Sequence, residues 1–98
     1  MGEEHLYIVT YDIADDKRWR AIFKLMHGYG EWLQLSVFQC RLTRARHIQL
    51  EQQLGSLMSM SEDHVMVIDV GPAENVQPRV QSLGKRAFER IERAPIIV

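Results

Sequence analysis

The stretch Leu6-Tyr7-Ile8-Val9-Thr10-Tyr11-Asp12 constrains this chain more than any other. β-Branched and aromatic residues fill it, as suits a pleated, buried element. Successive side chains of a strand point to opposite faces. Leu6, Ile8, Thr10 and Asp12 therefore share one face, and Tyr7, Val9 and Tyr11 share the other. Both faces are mostly apolar, so the strand is expected to be central and covered on both sides. It ends on a carboxylate, Asp12, which is either a metal ligand or the start of a turn.

The flanking segments read as helices and further strands. Asp15 or Asp16 can cap a helix from about Lys17 to His27, and both favour its positive end. Trp19, Ile22, Phe23 and Met26 form one apolar stripe on it. Gly28 and Gly30 end it. Residues 32–42 are extended and read as a short edge strand that kinks near Ser36 into a better-paired strand. Thr43 caps a second helix to about Met60, with Leu50, Leu54, Leu57 and Met58 on its buried side. Residues 59–63 form a loop, and His64–Val70 is a strand ended by Gly71-Pro72. Residues 73–94 are polar and weakly periodic, with Ala87, Phe88 and Ile91 as candidates for a core. Ala94-Pro95-Ile96-Ile97-Val98 reads as a last, edge strand.

The expected fold is α+β: a ferredoxin-like βαββαβ sandwich with an extra C-terminal strand. The chain of 98 residues suits a single domain, 1–98, with a modest core. Such a sandwich leaves one sheet face bare, yet the first strand is apolar on both sides. A homodimer supplies the cover. Residues 73–98 are expected to be a tail whose final strand pairs with the partner subunit.

Several function classes drop out. No apolar run approaches the roughly 20 residues that cross a bilayer, and the acidic start, Met1 to His5, has no signal-peptide pattern. A cytoplasmic protein without a membrane partner is expected. Cys40 is the one cysteine, which rules out an internal disulfide and reads as a small buried apolar residue. His5, His27, His47 and His64 lack metal-ligand spacing, and no Ser-His-Asp set or Gly-rich phosphate loop is present. The net charge of −1 argues nothing about nucleic acid, but the distribution does. Lys17, Arg18, Arg20 and Lys24 form a basic block without an acid, and Arg41, Arg44 and Arg46 form a second.

Asp12 carries the chemistry if any residue does. Mg²⁺ takes one or two carboxylates and completes its octahedron with water. One Asp12 per chain is too few, whereas two copies across a two-fold axis suffice. Arg18 and Arg20, on the first helical turns near Asp12, are either a phosphate-facing rim or a solvated helix face. Phe38 is either core or a ring on which a base stacks.

Taken in order, Tyr7-Ile8-Val9-Thr10-Tyr11-Asp12-Ile13, Asp15-Asp16-Lys17-Arg18, Tyr29-Gly30, Gln34-Leu35-Ser36-Val37-Phe38, Leu83-Gly84 and Pro95-Ile96-Ile97-Val98 resemble the CRISPR-associated protein 2 family. The resemblance covers nearly the whole chain. It implies a homodimer whose C-terminal strands cross onto the partner sheet, and a divalent-metal site (Mg²⁺, or another cation such as Mn²⁺) built from Asp12 of both subunits. It implies metal-dependent endonuclease activity on single-stranded RNA or double-stranded DNA, in spacer acquisition for antiviral defence. Tyr11 would flank the metal as a catalytic residue, Arg18 and Arg20 would contact phosphates, and Phe38 matches a nucleic-acid-binding position. The implied partners are the CRISPR-associated integrase and a protospacer duplex. Gln39, where the family often has Glu, and Ile68-Asp69, where it often has an aromatic, depart from the pattern. Two function classes follow: a metal-dependent endonuclease, or a non-catalytic DNA-binding scaffold bridging integrase dimers. A ferredoxin-like small-molecule sensor is a third, against which the basic helix start argues.

Overall fold

The computed structural model describes residues 3–84. The elements run β1 (His5–Asp12), α1 (Asp16–His27), β2 (Glu31–Gln34), β3 (Val37–Leu42), α2 (Arg44–Leu57) and β4 (His64–Pro72), followed by a turn of 3-10 helix at Ala73–Asn75. The strands form one sheet in the order β2-β3-β1-β4, with β1 antiparallel to both neighbours. This is the expected ferredoxin-like α+β arrangement, with β1 central. The expected final strand at 94–98, and Ala87, Phe88 and Ile91, lie outside the described residues.

Local signals explain the element starts. The Asp15 side chain accepts from the Arg18 backbone N–H at 2.9 Å, and Thr43 Oγ1 accepts from that of Arg46 at 3.3 Å. Each satisfies a donor that the first helical turn leaves without a partner. The helices lie on one face of the sheet: Ile22 and Met26 of α1 and Leu50 and Leu54 of α2 pack with Tyr7, Val9, Tyr11, Phe38, Cys40 and Leu42. Cys40 is buried, as expected.

Three expectations are corrected. The two strands expected within residues 32–42 are present, but no kink near Ser36 joins them. The chain reverses at Leu35-Ser36 into an antiparallel hairpin, in which Trp32 pairs with Phe38. Leu35 enters the left-handed region (φ 35°), a conformation for which the pattern rules expect Gly or Asn, so no turn signal marked the reversal. Second, α2 ends at Leu57 rather than about Met60. Third, Gly71-Pro72 stay in β4, because a register shift opposite Leu6/Tyr7 carries the pairing on to His5↔Pro72. Gly71 has φ 123°, which L side chains rarely adopt, and so absorbs that irregularity.

β1 is not evenly covered. Tyr7, Val9 and Tyr11 are buried on the helix face. On the other face Leu6 is buried and Ile8 and Thr10 are half-buried, while Asp12 is exposed. Their cross-strand neighbours Met66 and Ile68 are 46% and 44% exposed. Among the described residues the face bearing Asp12 is therefore an open apolar strip.

Candidate functional site

Asp12 closes β1 and pairs with His64, the first residue of β4. Its carboxylate makes no ion pair or hydrogen bond among the described residues. An exposed, unengaged carboxylate is available to a hard cation, which seeks oxygen ligands. The donor set within one chain is incomplete, since no group of three or more His, Cys, Asp or Glu is placed to hold a metal among the described residues.

Tyr11 does not share the Asp12 face. Its ring lies on the helix side, with its centroid 6.3 Å from those of both Phe38 and Trp19. The hydroxyl is buried without a hydrogen-bond partner among the described residues, and burial pushes its pKa up. The ring thus lies on the opposite side of the sheet from the Asp12 carboxylate of the same chain. What Tyr11 does near the site is local: its N–H donates to the Ser36 carbonyl at 3.2 Å, and Trp19 Nε1 donates to Ser36 Oγ at 3.0 Å. The hairpin turn is thereby tied to the end of β1.

Phe38 is also not at the surface. It is 0% exposed, with rings of Phe23 and His27 at 5.8 and 5.3 Å. Of its two readings the structure takes the core one, because no base can reach a fully enclosed ring.

Arg18 and Arg20 part company. Arg20 is exposed and, like Lys17, makes no ion pair or side-chain hydrogen bond among the described residues. Arg18 turns toward the loop between α2 and β4. Its Nε donates to Asp63 Oδ2 at 2.8 Å, and Nη2 donates to Asp63 Oδ1 at 3.2 Å and to Glu62 Oε1 at 3.0 Å. Asp63 is the residue that pattern reading missed. Its side chain is fully buried, and it also accepts from the backbone N–H groups of Ala14 (2.9 Å) and Ser59 (2.8 Å). The hydrogen bonds from Arg18, Ser59 and Ala14 hold its carboxyl well below the usual carboxylate range against the cost of burial. In turn, the Asp63 hydrogen bond raises the pKa of Arg18. Glu62-Asp63 reads in sequence only as loop, since the partners Ala14 and Arg18 are remote along the chain.

A cavity of about 440 Å³ lies at the opposite end of β1, lined by His5, Tyr7, Arg44, His47 and Asp69 among others. None of the candidate site residues lines it. No helix among the described residues is long and apolar enough to cross a membrane.

Residues 5–77 match the family model of CRISPR associated protein Cas2. Over 95 residues the chain is 57% identical to the CRISPR-associated endoribonuclease Cas2 of Geobacter sulfurreducens, covering 97% of this chain and 99% of that one. It is also 57% identical to CRISPR-associated endoribonuclease Cas2 1 of Rhodospirillum rubrum, over 97% and 92% of the two chains. The fold matches the crystal structure of Streptococcus pyogenes Cas2 at pH 6.5 with a TM-score of 0.70 and 32% identity, over 81% of this chain and 99% of that one. A Thermus thermophilus protein of known structure matches equally, with a TM-score of 0.70 and 32% identity over 88% and 99%. With most of its length inside the family model and 57% identity to a relative over nearly the whole of both chains, this chain belongs to the CRISPR associated protein Cas2 family.

Proposed function

We propose that the protein is a metal-dependent endonuclease of CRISPR spacer acquisition that works as a homodimer, with one Asp12 from each subunit at the cleavage site. The observation that carries this reading is the exposed, unengaged Asp12 carboxylate at the end of a strip that includes exposed Met66 and Ile68. A strip of that kind is the natural contact for a second copy. A two-fold axis near the Asp12 end of the strip would bring the two Asp12 side chains toward each other. Two facing carboxylates repel, and a divalent cation relieves the repulsion. Asp12 of both subunits would hold Mg²⁺ or Mn²⁺, which when bound stabilises charge on a phosphoryl group and acidifies water. Arg20, exposed on α1, would orient the phosphate. The relatives named endoribonucleases favour RNA as the substrate.

The test is Asp12→Ala, assayed for cleavage of single-stranded RNA and of duplex DNA with and without Mg²⁺. Loss of all metal-dependent cleavage is expected. Wild-type cleavage by the variant would remove Asp12 from the mechanism.

A second reading has its own support. No group of three or more His, Cys, Asp or Glu is placed to hold a metal among the described residues, and both Tyr11 and Phe38 belong to the core. A scaffold that bridges integrase dimers and holds a protospacer duplex by its phosphates needs only basic residues such as Arg20 and Lys17. Duplex binding that survives Asp12→Ala while wild-type protein cleaves neither substrate would favour it.

A further inference from the structure

We propose that Asp63 is a positioning residue for the Asp12 end of the sheet, and that Arg18 serves Asp63 rather than substrate phosphate. The inference rests on the reading of Asp12 as a metal ligand. Asp63 joins the β1–α1 connection, through Ala14, and the first turn of α1, through Arg18, to its own loop after α2, through Ser59. Ala14 is two residues beyond Asp12. On the other strand, Asp63 immediately precedes His64, the residue paired with Asp12. One buried carboxylate thus pins the exit of β1 and the entry of β4, the two backbones that place Asp12.

The chemistry demands a carboxylate at this position. Oδ1 accepts from Ala14 N and Arg18 Nη2, while Oδ2 accepts from Arg18 Nε and Ser59 N. An asparagine has one acceptor oxygen, and its amide nitrogen would meet two of these donors. The two donors would then be left without an acceptor in a buried site. Arg18 is equally committed. Its single positive charge faces both Asp63 and Glu62, so this corner offers an approaching phosphate no net attraction. Arg20 and Lys17 at the start of α1 have no ion pair among the described residues.

The experiment uses the full-length chain and the variants Asp63→Asn, Arg18→Lys, Arg18→Gln and Arg20→Ala. Mn²⁺ binding is followed by the free-ion EPR signal, duplex binding is measured over a salt series, and backbone exchange at residues 12–16 is measured by NMR. Outer residues that hold a metal ligand in place are typically worth about 10–100-fold in metal affinity. Asp63→Asn and Arg18→Lys, which keeps the charge but lacks the fork, are expected to weaken Mn²⁺ binding about tenfold or more and to speed exchange at residues 12–16. Arg18→Gln should leave the slope of log K against log salt unchanged, whereas Arg20→Ala should flatten it by about 0.9, one phosphate contact. A slope lost on Arg18→Gln but kept on Arg18→Lys would make Arg18 a phosphate contact and overturn the proposal. So would wild-type Mn²⁺ affinity and exchange in Asp63→Asn. If Asp63→Asn does not fold, Arg18→Lys decides by the same readouts. If wild-type protein binds no Mn²⁺, or Asp12→Ala binds it as well as wild type, the metal reading fails. The brace is then judged by exchange alone, and unchanged exchange in Arg18→Lys refutes it.

Discussion

Replacing Phe38 by leucine separates two roles that the family resemblance merges. If Phe38 is core, the loss is one of packing. The ring is 0% exposed and meets the rings of His27, Phe23 and Tyr11 at 5.3, 5.8 and 6.3 Å. A near-isosteric apolar swap costs up to about 1.5 kcal/mol, and each lost aromatic pair adds about 0.5–1.5 kcal/mol. These terms overlap, since the lost ring contacts are largely the packing that the swap already counts, so about 1–3 kcal/mol is expected for the variant as a whole. In a domain of this size each kcal/mol moves Tm by about 4–8 °C, so a fall of roughly 5–20 °C follows. The full truncation Phe38→Ala costs about 3–5 kcal/mol, a large part of the roughly 5–15 kcal/mol that holds a domain together, which makes leucine the better probe. Thermal unfolding by circular dichroism checks the number, at one fixed protein concentration because self-association shifts Tm. Duplex and RNA affinity, measured well below both midpoints, should change less than twofold. A stacked base is worth about 1–3 kcal/mol, so an unchanged Tm with affinity down tenfold or more would refute the core assignment.

Other outcomes follow from the same contacts. Asp63 has a depressed carboxyl pKa in the folded chain, so its contribution is present above the unfolded value of about 3.9 and is lost as pH falls through the lower folded value. Urea midpoints measured from pH 6 to pH 2 should therefore fall less steeply in Asp63→Asn than in wild type, and parallel curves would contradict the Arg18–Asp63 pairing. A Cβ at Gly30 would run into Cys40 Sγ and the Gln39 carbonyl of β3, so Gly30→Ala is expected to destabilise by about 1–3 kcal/mol. A Cβ at Gly55 in α2 meets open space, and Gly55→Ala should stabilise by about 0.5–1 kcal/mol; a lower Tm for Gly55→Ala would count against the helix there. Ile68→Lys places a charge on the open sheet face beside Ile8, and sedimentation should show monomers where wild type sediments as a dimer.

The central strand, both helices and their caps were legible in the sequence. β1 announces itself through β-branched and aromatic residues, α1 through its apolar stripe and Asp15, and α2 through Thr43 and the Leu50/Leu54 pair. Alternation alone already set Tyr11 and Asp12 on opposite faces, and the structure keeps them there. The family resemblance, which put Tyr11 beside the metal, carries no side-chain direction within a single chain. The hairpin at Leu35-Ser36 was not legible, because a leucine at positive φ breaks the rule by which turns are found.

What the sequence determined by itself rests on neighbours along the chain. Strand alternation, helical periodicity and N-caps are each satisfied within a few residues, so the order of residues encodes them directly. Only the tertiary structure decided which basic residue is free and which is bound. Arg18 and Arg20 sit on the same helix start and carry the same charge. Asp63, 45 positions from Arg18 and 49 from Ala14, engages one and leaves the other exposed. The physical reason is desolvation. A carboxylate buried by packing must find its donors wherever the fold brings them, and no local pattern records which ones those are.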